Sequence, residues 1–171
     1  MKLRRMQLGT TGLMVTELCF GALPLGPLQK NLGLSEGAAV IAHALKAGIN
    51  FIDTAQVYRT YPYIREAIRV TGFRPIVASK SSAATYEAME TAVLQALAEL
   101  GLDKIDLFLL HAARVGPEVF AERAGALRCL LDYKERGLIG AVGISTHDTR
   151  LALQAVARDE IEDRKSTRLN S

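Results

Sequence analysis

Asp53, Tyr58, Lys80 and His111 are the side chains of this chain on which chemistry can be built. Three of them end short apolar runs: Phe51-Ile52 leads into Asp53, Val77-Ala78-Ser79 into Lys80, and Leu109-Leu110 into His111. Tyr58 follows Asp53 by five positions, and a further apolar run ends in the hydroxyl pair Ser145-Thr146. Taken singly, each has an ordinary reading: a turn or cap for the Asp, a solvated ammonium for the Lys, a structural imidazole for the His, packing for the Tyr, a helix cap for Ser145 and Thr146. Together they make a proton-transfer site. A phenol titrates near 10, too high for an efficient acid at neutral pH, and a neighbouring ammonium lowers it by favouring phenolate. Lys80 supplies that charge, and Asp53 keeps a buried Lys80 protonated. His111 hydrogen-bonds a substrate oxygen. A phenol that gives a proton to a carbonyl oxygen still needs hydride for the carbon, which no side chain provides, so a nicotinamide cofactor is implied.

Other chemistries find less support. "CFGALPLGP" stands where a Rossmann Gly-x-Gly-x-x-Gly would follow the first strand, and there is no Walker loop, Cys/His metal spacing or Gly-x-Ser-x-Gly elbow. A metal held by Asp53, His111 and His147 would have one strong carboxylate and no paired His. A Schiff base on Lys80 requires a neutral amine, which Asp53 opposes.

These residues need a scaffold that brings strand ends together. Strands are expected over 18–21, 50–53, 75–79, 105–110 and 140–144, apolar and without polar alternation, as in parallel sheets covered on both faces. Helices are expected between them: one capped by Ser35 and closed by Gly48, one over 85–100 closed by Gly101, and one opened by Pro117 and running to Gly137. Shorter helices are expected over 64–70 and 149–157. A hairpin of 5–8 and 14–18 around Gly9-Thr10-Thr11-Gly12 precedes them. The repeat of roughly thirty residues is that of a βα unit. Five units suit either a doubly wound sheet or part of a (β/α)8 barrel, which needs about 250 residues. In both, sites form at the carboxyl ends of the strands.

The composition, 49% hydrophobic and 23% charged over 171 residues, is that of one soluble globular domain. No apolar run has membrane-spanning length and the N-terminus lacks an apolar signal core, so a cytoplasmic setting is expected. Of the 21 basic side chains, three lie in 164–171, which leaves 18 against 18 acidic. The net charge of +3 therefore does not indicate a nucleic-acid surface. Cys19 and Cys129, in apolar contexts, read as buried thiols.

In the order and spacing of "LGTTGLMVTELCFGALPLG", "AGINFIDTAQVY", "PIVASKS", "LGLDKIDLFLLH" and "KERGLIGAVGIST", over residues 6 to about 157, the chain resembles the aldo-keto reductases, NAD(P)H-dependent (β/α)8-barrel enzymes. The resemblance implies an α/β fold, a partial TIM barrel of about five of eight βα units after an N-terminal β-hairpin. It implies a tetrad of Asp53, Tyr58, Lys80 and His111 with Tyr58 as the acid. It also implies NADP or NAD held by Ser145, Thr146, Asp53 and Gly21, and a small-molecule carbonyl or alcohol as substrate. Thr146 stands where the family usually has Asn. "RTYPYIREA" replaces the common Gly-x-Ser-Glu and is similar to a bacterial branch, some of whose members carry an iron–sulfur extension that two cysteines cannot ligate.

Family members continue beyond this length, so residues 1–162 are expected to be the N-terminal part of such a barrel. Residues 163–171 are expected to be a non-native tail without strand pattern. Open sheet edges then predict self-association and little activity for the chain alone. The alternative function from another class is a non-catalytic nicotinamide-sensing regulatory subunit.

Overall fold

The computed structural model describes residues 3–113, 115, 116 and 118–166. Two strands, β1 (Arg5–Gln7) and β2 (Met14–Thr16), form the antiparallel hairpin. Then come β3 (Phe20–Gly21), α1 (Leu34–Lys46), β4 (Phe51–Asp53), α2 (Tyr61–Thr71), β5 (Ile76–Ser81), α3 (Tyr86–Leu100) and β6 (Ile105–Ala112). They are followed by α4 (Val119–Glu122), α5 (Ala124–Glu135), β7 (Ile139–Thr146), α6 (Thr149–Val156) and β8 (Asp163–Ser166). Strands β3 to β8 pair in sequence order, all parallel, as six consecutive strands of a partial TIM barrel.

Side-chain parity along the strands separates two cores. Ile52, Val77, Phe108, Leu110, Val142 and Ile144 point outward and are buried under the helices with Ile41, Ile64, Met89, Leu130 and Tyr133. Phe51, Ala78, Leu107, Leu109 and Ala141 point inward, where Leu8 and Leu13 of the hairpin region pack against them and close the amino-terminal end of the barrel. Asn50 anchors the hairpin. Its Oδ1 accepts from the Thr16 amide at 2.7 Å, its own amide donates to Thr16 Oγ1 at 3.2 Å, and its Nδ2 donates to the Met14 carbonyl at 3.0 Å.

Several expectations are corrected. A sixth parallel strand exists where residues from 163 were expected to form none. Strand pairing is a backbone property, and a charged edge strand is a common way to end a sheet. Here Arg164 Nε donates to the Ala155 carbonyl at the end of α6, at 2.9 Å, a favourable place for a cation. Ser35 lies inside α1, whose cap position is Gly33. The segment read as one helix up to Gly137 is two, broken at Arg123. Pro117, read as its first residue, and residues 167–171 of the basic tail lie outside the described residues. Cys129 is buried as expected, but Cys19 is exposed, on the connection between the hairpin and β3.

Candidate active site

The inward parity that builds the interior core also builds the site. Asp53 is the next inward residue after Phe51 on β4, Lys80 after Ala78 on β5, and His111 after Leu109 on β6. Lys80 is 1% exposed and donates to both Asp53 oxygens, at 2.8 and 2.9 Å, and to the Thr54 carbonyl at 2.7 Å. Three acceptors saturate its three N–H bonds, so a full charge is held in the interior by a bidentate partner. Burial still pulls the ammonium below its ordinary range, against the opposing pull of Asp53.

Tyr58 ends a short 3-10 turn, Gln56–Tyr58, after β4. Its ring lies 5.0 Å from Lys80 Nζ, measured to the centroid, and meets the His111 ring edge-on with centroids 6.1 Å apart. The four residues are therefore one cluster. One electrostatic expectation is reversed: the Tyr58 phenol is raised above its ordinary value, first by burial and then by the Asp53 carboxylate. The ammonium faces the aromatic ring, and its charge is offset by the carboxylate it chelates. Tyr58 in this state is a fully protonated donor at neutral pH.

The His111 imidazole is pushed down to about 4, by burial first and by the Lys80 charge second. It is neutral at physiological pH and offers one N–H donor. The unfolded chain takes up this proton near 6.5, whereas the folded chain resists until about 4, so stability is lost as pH falls through that window. A His111→Gln variant is expected to flatten the stability profile between those values. The unfolding free energies of the two proteins from urea titrations should diverge by less than about 1.4 kcal/mol per pH unit, the partly exposed ring being screened by solvent.

Gly21 pairs in register with Asp53 and shares its inward side. A Cβ there would meet nothing within 4 Å, so its space is open to a ligand. Ser145 pairs with His111 across β6 and β7 and is inward by the same register. Thr146 is not brought to the cluster. It faces the helix side, lining a cavity with Ile144, Thr149 and Ala152, and its Oγ1 accepts from the Asp148 amide at 3.0 Å. Asp148, not Ser145 or Thr146, caps α6.

Two features of the site escaped the sequence reading. Lys165 on β8 reaches Asp53 Oδ2 at 2.7 Å, a second cation on the same carboxylate. Nothing in its charged sequence context distinguished it from a solvated lysine. The second is the support of the Tyr58 loop. Thr54 and Thr60, both fully buried, flank the loop and join Oγ1 to Oγ1 at 2.7 Å. Gln56 Oε1 accepts from Ser81 Oγ at 2.7 Å, and a Cβ on Gly26 would overlap the Tyr58 carbonyl oxygen. Thr60→Val leaves the Thr54 hydroxyl buried and unpaired, at an expected cost of about 1–3 kcal/mol. The Thr54→Val/Thr60→Val double variant removes both hydroxyls and should recover most of that loss in denaturant titrations.

Among the described residues no helix is long and apolar enough to cross a membrane, and no group of three or more His, Cys, Asp or Glu is placed to hold a metal. The uncharacterized oxidoreductase YqkF of Bacillus subtilis is 26% identical over 93% of this chain and 54% of its own length. Glycerol 2-dehydrogenase (NADP(+)) of Saccharomyces cerevisiae is 38% identical over 43% of this chain and 25% of its own length. A solved aldo-keto reductase from Pseudomonas aeruginosa superposes with a TM-score of 0.80 at 26% identity, covering 90% of this chain and 64% of that one. The chain spans about half the length of the first curated relatives it matches, 54% and 49%. The profile of the Aldo/keto reductase family matches residues 17–165, and the chain belongs to that family.

Proposed function

We propose that the protein reduces an aldehyde or ketone in the cytoplasm, with a nicotinamide cofactor as the reductant and Tyr58 as the proton donor. The observation that carries this reading is the inward cluster at the strand ends: a buried Lys80–Asp53 pair under the ring of Tyr58, with a neutral His111 edge-on to it.

The donor set fits a nicotinamide. The face above Asp53 is open at Gly21, and Ser145, inward beside His111, would hold the carboxamide through its hydroxyl. Thr146, turned to the helix side, would not contribute its side chain. NADP is favoured over NAD because the yeast relative is a glycerol 2-dehydrogenase (NADP(+)). When bound, the nicotinamide supplies hydride to the carbonyl carbon.

The chain's own residues do the rest. His111, neutral, donates its ring N–H to the carbonyl oxygen and orients it. Tyr58 is protonated in the resting site and gives its proton to the same oxygen as negative charge develops there. The phenolate ring left behind lies 5.0 Å from the Lys80 nitrogen, measured to the centroid, and this ammonium, which Asp53 keeps charged, is the cation that would offset part of the cost of the new negative charge. Tyr58 is only partly buried and regains its proton from solvent.

The activity is proposed for a protein of the relatives' length, and the 171-residue chain alone is expected to turn over little or not at all. Fluorescence titration with NADPH tests this by comparing the chain with a version extended to that length. Binding by the extended protein only is the expected result. Tight binding and turnover by the 171 residues would refute the expected inactivity, and binding by neither would refute the nicotinamide assignment.

A further inference from the structure

Beside the cluster lies an open cavity of about 460 Å³ lined by Val57, Ser82, His111, Ala113, Val115 and Arg123. Val57 directly precedes Tyr58 and His111 belongs to the cluster, so this space adjoins the proposed reacting position. Its wall is apolar at Val57, Ala113 and Val115. Arg123 is the one charged residue on it among the described residues.

Arg123 is partly buried at the junction of α4 and α5, and its Nη1 donates to the His111 carbonyl at 3.0 Å. That bond uses one of five N–H donors and holds the side chain on the site's side of the junction. No described carboxylate lies within ion-pair distance of it. The neighbouring cations are accounted for differently: Lys80 and Lys165 both contact Asp53. Among the described residues that line this cavity, Arg123 is thus a cation whose side chain is held by a neutral acceptor, with no carboxylate paired to it. A planar guanidinium anchored on one edge is suited to receive a carboxylate through two parallel hydrogen bonds.

Resting on the carbonyl-reducing reading, we infer that the preferred substrates are carbonyl compounds that also carry a carboxylate. Arg123 receives the carboxylate, the Val57, Ala113 and Val115 wall covers the carbon skeleton, and the carbonyl oxygen lies at His111 and Tyr58. Arg123 is then the residue that determines specificity. Its bond to the His111 backbone fixes the spacing between the anion and the reacting carbonyl.

The test uses the protein at its relatives' length with its histidine rings isotopically labelled, the His111 resonance being assigned by comparison with His111→Gln. The probes are 4-formylbenzoate, its neutral counterpart 4-formylbenzamide, and inorganic phosphate, each titrated against wild type, Arg123→Gln and Arg123→Lys. Both aldehydes are expected to shift the His111 signals, with the benzoate binding about ten- to a hundredfold more tightly. Arg123→Gln should erase that preference and Arg123→Lys should retain part of it. Equal affinity of the two aldehydes for wild type would overturn the inference without recourse to any variant, as would a preference that survives Arg123→Gln. Phosphate that reproduces the benzoate shift at the same affinity would also overturn it, by making Arg123 a general anion site. If neither aldehyde moves His111, the carbonyl reading of the site fails, and the inference with it.

Discussion

A Tyr58→Phe variant of the protein at its relatives' length is expected to bind nicotinamide and carbonyl as wild type does and to reduce the carbonyl about 10²–10⁴-fold more slowly. The substitution removes one oxygen from a half-buried ring, leaving the packing of that ring against His111 and over Lys80 in place. What is lost is the proton donor. Steady-state rates with a panel of aldehydes, paired with nucleotide titrations, separate the two effects: kcat falls while nucleotide affinity holds. The pH dependence has a defined sign. Reduction needs the phenol protonated, and burial with the Asp53 carboxylate raises Tyr58 above its ordinary value, so the alkaline decline in rate lies above about 10 in the free protein. In Tyr58→Phe that decline disappears. Alcohol oxidation, the reverse reaction, should rise over the same range.

Asp53→Asn carries the second large effect, and it is visible in stability alone. Lys80 is 1% exposed and two of its three hydrogen bonds end on Asp53. Breaking a buried pair by removing one partner leaves an uncompensated charge, at a cost of about 3–5 kcal/mol. Lys165 loses the same partner, but it is 36% exposed and recovers hydration. With the carboxylate gone, burial acts on Lys80 unopposed and drives its pKa further below 10.5. The unfolded chain then binds more protons than the folded one between the lowered value and 10.5, so the variant's stability rises with pH in that window. Asp53→Asn/Lys80→Met removes the stranded charge and should regain much of the loss. Urea denaturation of the three proteins at neutral and alkaline pH gives the comparison. A loss in Asp53→Asn that neither the second substitution nor alkali reduces would show that the carboxylate acts through something other than its pair with Lys80.

The sequence was most legible where apolar runs meet polar ends. Period two places Asp53, Lys80 and His111 on the same side as Phe51, Ala78 and Leu109, because successive strand residues alternate faces. Their convergence therefore followed from strand assignment and parallel topology. The same alternation explains the failure at Thr146: adjacent residues cannot both point inward, and Ser145 has the inward place. Strand β8 was illegible because Asp163, Arg164 and Lys165 have no apolar pattern, and backbone pairing to β7 needs none. The reversed shift at Tyr58 depended on distance and orientation. The ammonium sits over the ring with Asp53 between it and any net effect, a balance that residue spacing does not encode. The Thr54–Thr60 bond was hidden for a similar reason, since two hydroxyls six residues apart in a loop usually face water.

The proposed reaction moves a proton from Tyr58 while a nicotinamide reduces the carbonyl. It is tested most directly by following deuterium from NADPH labelled at the transferable position of the ring into the alcohol product. The comparison is between wild type and Tyr58→Phe at the relatives' length. Label is expected on the former carbonyl carbon, appearing at least about a hundredfold faster with wild type. Saturating nucleotide with no label transferred, or equal rates for the two proteins, would contradict it.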